Sequence, residues 1–129
     1  MRPLLLVILG LVVGAMGATF ALSALRQGTP FHLSVMAVMQ HHMGVLRGNV
    51  RANQCEAKGS LAHLSRMRDA AGDIGEAFPG MDAPFYDGEH QLVTTLDGAI
   101  AGTPGSCAAL AAALAPIGEA CQACHRQYR

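Results

Sequence analysis

The 129-residue chain has room for one small domain, and its 51% hydrophobic content is inflated by a front segment, Leu4 to Leu25, that carries no charge. With Arg2 and Arg26 set aside, seven basic side chains face nine acidic ones, a balance that argues against nucleic acid as a partner. Aromatic residues make up 5% with no Trp, while Ala, Leu, Met and Gly dominate, the palette of small helical bundles and not of sheets.

The front segment spans about 33 Å as a helix, enough to cross a bilayer and longer than the usual core of a cleavable signal. Ala21-Leu22-Ser23 nonetheless forms a small-x-small cleavage site. Residues 1–28 are therefore read as a signal peptide or an uncleaved membrane anchor with a short linker, and residues 29–129 as the exported domain. Gly10 and Gly14 stand at a spacing that lets two such anchors pack closely. Thr29-Pro30 reads as an N-cap with proline at the first helical position. A first domain helix then carries Leu33, Met36, Met39, Met43, Leu46 and Val50 on one apolar face. A second runs from Ala57 through Leu61, Leu64, Ala71 and Ile74 to Phe78, stopped by Pro79-Gly80. A third begins near Pro84 and buries Phe85, Leu92, Leu96 and Ile100. After "GTPGS" the last helix shows Leu110, Leu114, Ile117, Cys121, Cys124 and Tyr128 on one stripe, with Pro116 kinking it or opening its second half. Four helices with short connections predict an all-α, antiparallel up-down-up-down four-helix bundle behind the N-terminal hydrophobic helix.

The end of the chain, "CQACHRQYR", carries the chemistry. Two thiols three positions apart lie on one side of a helical turn, where both reach the vinyl groups of a haem, and the following histidine reaches its iron. Cys121, Cys124 and His125 meet this requirement. A thioredoxin-like pair wants a βαβ setting, and a zinc site wants a second ligand pair at comparable spacing. Only four residues follow His125, so a sixth iron ligand is expected from upstream. In an alternating bundle the end of the fourth helix lies beside the start of the first, which selects Met36, since Met43 sits about 10 Å further along the axis. A thioether favours ferrous iron and raises the potential. His32, one turn earlier, is the rival distal ligand. His41 and His42 are expected to be solvated, and His63 and His90 to lie at the surface.

These residues resemble the class II cytochromes c, which include cytochrome c′ and its low-spin, methionine-ligated relatives. One matching segment is "LAPIGEACQACHRQYR", with an aromatic residue three positions after the histidine and Arg129 four after it. The other is "MAVMQHHMGVL", where the family's distal position falls on Met36 and a small residue recurs at Gly44. The family often carries arginine where this chain has His32, a departure that bears on any propionate salt bridge there. The resemblance implies a four-helix bundle and one covalent haem c on Cys121 and Cys124, with His125 as proximal ligand. It implies either a methionine-ligated electron carrier or a five-coordinate protein that binds NO or CO. The expectation is thus a non-enzymatic, mono-haem carrier of single electrons in the bacterial periplasm, soluble or tethered by residues 4–25. It would meet redox partner proteins and possess the option of forming a homodimer. A helical domain without haem is the remaining alternative.

The same topology puts Cys55 and Cys107, at the starts of the second and fourth domain helices, together at the end away from the haem, where an oxidising compartment favours a disulfide. It puts Phe78, Met81 and Phe85 at the haem end.

Overall fold

An uninterrupted run of apolar and small residues makes the first helix, α1 (Arg2–Arg26), and 19 of them, Leu6–Ala24, have a mean hydropathy of 2.2. The computed structural model describes residues 2–26 and 29–129, so the linker expected at Gln27 and Gly28 lies outside the described residues. The chain divides into two compact units, Met1–Pro30 and Phe31–Arg129. In the first, Leu4, Leu9, Leu11 and Phe20 are all exposed, and the helix is long and apolar enough to cross a membrane.

The second unit is built from α2 (Phe31–Ala52), α3 (Ala57–Gly72), the single turn α4 (Ile74–Ala77), α5 (Ala83–Ala101) and α6 (Cys107–Tyr128). No strand occurs among the described residues. Each long helix after α2 has a side-chain cap. Glu56 accepts from the amides of Lys58 and Gly59 at 2.9 and 2.8 Å, Asp82 from Phe85 at 3.2 Å, and Ser106 from Ala109 at 3.2 Å. These bonds satisfy amides that a helix start leaves without partners. Helix α2 ends with Asn53 in the left-handed region (φ 55°) while the amide of Gln54 reaches back to the carbonyl of Asn49 at 2.9 Å. This is the helix-ending geometry in which asparagine replaces the usual glycine.

Two sequence expectations need correction here. The second domain helix does not run unbroken from Ala57 to Phe78. It stops at Gly72, and Asp73 takes φ −86°, ψ −6° before α4 resumes. Glycine is a weak helix former and aspartate competes for backbone hydrogen bonds, so two such residues in succession are where the helix gives way. The buried face of α2 is also rotated from the expected stripe. Val35, Met39, His42, Met43 and Leu46 are buried, whereas Leu33 is 51% exposed. At about 100° per residue Leu33 stands roughly 120° from Met39, outside the arc that the neighbouring helices cover. Met36 and Val50 are half-buried at the edge of that arc. Helix α6 runs through Pro116 as one element.

Helix α2 packs on α3, α3 on α5, α5 on α6, and α6 on α2, which closes a ring around Leu46, Leu64, Met67, Leu96, Leu110 and Ile117. Full burial of each such side chain contributes about 1.5–3 kcal/mol. The two ends of the ring are held by different chemistry. At one end a disulfide joins Cys55, just past α2, to Cys107 at the start of α6, with their Cα atoms 5.1 Å apart. At the other, a row of rings runs His32, Phe78, Phe85, Tyr128, with successive centroids 5.4, 5.6 and 5.1 Å apart. That row brings together the start of α2, the residue after α4, the start of α5 and the end of α6. The turn between α4 and α5 is fixed by one side chain. The Tyr86 hydroxyl accepts from the amides of Gly80 and Met81 at 3.1 and 3.2 Å and donates to the carbonyl of Phe78 at 3.2 Å. Gly80 itself sits at φ 82°, a conformation that only glycine adopts without strain.

Candidate functional site

The alanine-rich first half of α6 is a strong helix former, and it carries the motif at its end into the ringed end of the unit. Cys121 and Cys124 are both free, since the disulfide consumes the other two cysteines, and both are half-buried against the core. A step of three places their sulfurs on the same side of the helix. His125, one residue further on, is exposed. Burial pushes the Cys121 thiol up; the nearby Arg47 guanidinium pulls it the other way, and Cys124 adds to the rise. Burial pushes Cys124 up as well. Both therefore stay protonated at neutral pH and are poor thiolate ligands as they stand.

The approach of Arg47 depends on a missing side chain. A Cβ added to Gly118 would lie 2.9 Å from the Arg47 Nη2, so the guanidinium from α2 rests in the notch that this glycine leaves on α6, one turn before Cys121.

The end of α6 is tied to the start of α5. The Tyr128 hydroxyl donates to Asp82 Oδ1 at 2.7 Å, and Gln127 Nε2 donates to the same hydroxyl at 3.0 Å. The bond to Asp82 is the main reason the phenol is pushed up to about 12. Because Asp82 Oδ1 also caps α5, one carboxylate fixes both helix ends. A groove of about 680 Å3 runs between α5 and α6 beside these groups, lined in part by Pro84, Gly88, Gln91, Ala120, Cys124 and Tyr128. That volume is in the range of cofactor and small-molecule sites. Of the residues singled out from the sequence as haem ligands or attachment points, Cys124 alone lines it. Met36 and His32 stand in the first two turns of α2: Met36 half-buried on the core, His32 half-buried with its ring against Phe78. Phe78 and Met81 are half-buried and Phe85 is buried at this same end.

The expected solvation of His42 is wrong, and so is the reading of His63 as an isolated surface residue. His42 is 7% exposed, and its Nδ1 lies 2.8 Å from Nδ1 of the half-buried His63 on α3. His41 is exposed, with its ring centroid 5.0 Å from that of His42. The signal for His42 was available, because it falls three residues after Met39 and four before Leu46 on the buried face. The Tyr128–Asp82 bond and the Arg47–Gly118 contact had none, being pairs 46 and 71 positions apart with no motif to link them.

Compared with protein-family profiles, with curated protein sequences and with solved structures, the chain finds no match in any of the three.

Proposed function

We propose that residues 29–129 form an antiparallel up-down-up-down four-helix bundle that carries one covalently attached haem c and passes single electrons without transforming a substrate. The ring row at one end and the Cys55–Cys107 bridge at the other support that topology, since both agree with neighbouring helices alternating in direction. The observation that carries the function is the donor set of α6. Two free, protonated thiols stand three positions apart on its inner side, with an imidazole on the next residue. That set fits a haem c: Cys121 and Cys124 would hold it through two thioether bonds, and His125 would supply a nitrogen to its iron. When bound, haem c supplies a one-electron iron couple.

The other residues hold and shield the site. Met36, at the start of α2 and thus at the same end as the close of α6, offers its thioether as the distal ligand; His32 is the competing donor one turn earlier. Phe78 and Phe85 keep water from that end, and the Asp82–Tyr128 bond holds the attachment segment against α5. Arg47 brings a positive charge next to Cys121, which favours the reduced state of a nearby redox centre. Export, with α1 as either a removed signal or a retained tether to the inner membrane, agrees with a disulfide elsewhere in the same chain. Redox proteins are the partners this activity requires.

One observation favours a second reading. Met36 packs on the core as a filler would, and a methionine so engaged leaves the distal side open to NO or CO. An optical spectrum of protein expressed in a host that attaches haem separates the two. Low-spin iron with a weak methionine charge-transfer band, lost in Met36→Ala, is the expected result. High-spin iron that takes up CO in the wild type replaces it with the second reading, and a chain without covalent haem refutes both.

A further inference from the structure

The His42–His63 pair lies away from the ringed end and has no part in the reading above. Two imidazoles whose Nδ1 atoms stand 2.8 Å apart share one hydrogen bond, with one ring donating and the other accepting. The same separation has a second meaning. Two nitrogens each about 2.0 Å from a metal ion lie about 2.8 Å apart when the angle at the metal is a right angle, and about 3.3 Å apart at the tetrahedral angle. The observed spacing is that of adjacent ligands in a tetragonal site.

We propose that His42 and His63 form a two-histidine clip between α2 and α3 for a tetragonal divalent metal ion, Cu2+ in preference to Ni2+, with Zn2+ the poorer fit. The two helices hold the rings without help from the metal, since His42 is fixed in the core and α2 and α3 pack along their lengths. Binding keeps the charge balance simple. With both rings neutral, the shared proton moves from Nδ1 of one ring to its Nε2, and both Nδ1 lone pairs face the ion. Among the described residues no group of three or more His, Cys, Asp or Glu is placed for a metal, so water completes the coordination from the side of the half-buried His63. Arg66 bears on the pair electrostatically, and its positive charge sets the affinity below that of a three-ligand site.

The test is titration of CuCl2 into the full-length protein as expressed, followed by calorimetry and electron paramagnetic resonance. One equivalent should bind with a tetragonal signal split by two nitrogens. His63→Gln should weaken binding at least about tenfold, the lower end of what even outer-shell partners contribute to metal affinity. His90→Gln should leave it unchanged. Because His42→Gln disturbs the core, the half-buried His63 is the deciding position. A copper signal without nitrogen splitting, or an affinity that His63→Gln does not change, overturns the proposal.

Discussion

Removing the Cys55–Cys107 bridge should cost a large share of the stability that a domain of this size possesses. The two cysteines are 52 positions apart in sequence, and closing a loop of that length removes about 4 kcal/mol of entropy from the unfolded chain at 25 °C. Small domains have only about 5–15 kcal/mol in total. With a urea dependence of about 1–2 kcal/mol per molar, the double variant Cys55→Ala, Cys107→Ala should unfold roughly 2–4 M earlier than the oxidised wild type. Far-ultraviolet circular dichroism against urea measures this, and counting free thiols under denaturing conditions verifies the starting state. A midpoint within about 0.5 M of wild type would refute the reasoning, since a bridge over so long a loop must restrict the unfolded chain.

Four other outcomes follow from particular groups. The Ser60 hydroxyl is buried with no hydrogen-bond partner among the described residues, so Ser60→Ala should stabilise by about 1 kcal/mol and raise Tm by about 4–8 °C; a lower Tm would mean the hydroxyl is bonded. Thr103 sits at φ 43°, a region that β-branched residues avoid, and Thr103→Gly should therefore raise the urea midpoint by about 1 kcal/mol equivalent. His42 and His63 have folded-state pKa values below the ordinary 6.5, so the unfolded chain binds protons first. Their contribution is complete above pH 6.5 and is lost as pH falls through the folded values, and His63→Gln should flatten the dependence of the urea midpoint between pH 7 and 5. The Tyr128 phenol should ionise near 12 and move back toward 10 in Asp82→Asn, read by ultraviolet absorbance. Its folded pKa is raised, so the Asp82 bond contributes fully below pH 10 and is lost as pH rises through 12.

The helical course of the chain was legible because its signals are local. Thr29-Pro30, Pro79-Gly80 and "GTPGS" punctuate the helices, and the three-four recurrence of Leu110, Leu114 and Ile117 is visible in a single turn-by-turn reading. The stripe on α2 was less so. Leu33 and Val35 are equally apolar, and which of them is covered depends on where the neighbouring helices lie, not on α2 itself. His42 shows the same limit from the other side: its position on the face predicted burial, but its chemistry suggested water. Only His63, 21 residues on, supplies the partner that makes a buried imidazole tolerable. At the candidate site, the thiols and His125 announce themselves through spacing, whereas Arg47 and Asp82 act through contacts that exist only after folding. For Arg47 the enabling residue is Gly118, whose role is an absence of atoms and leaves no trace in a periodicity.

The unequal fastening of the two ends gives the molecule a preferred direction of opening. At the Cys55–Cys107 end, α2 and α6 are joined by a covalent bond that no thermal fluctuation releases. At the other end α2 reaches α6 through a relay of ring contacts, and one exposed phenol–carboxylate bond ties α6 to α5, each worth little more than thermal energy. Local opening therefore travels from the close of α6 inward, and amide exchange should quicken along that helix from Leu110 toward Tyr128. Cys121 and Cys124 lie within the segment that opens first, so a reagent or cofactor can reach thiols that are half-buried in the closed state while the core around Leu110 and Ile117 stays shut.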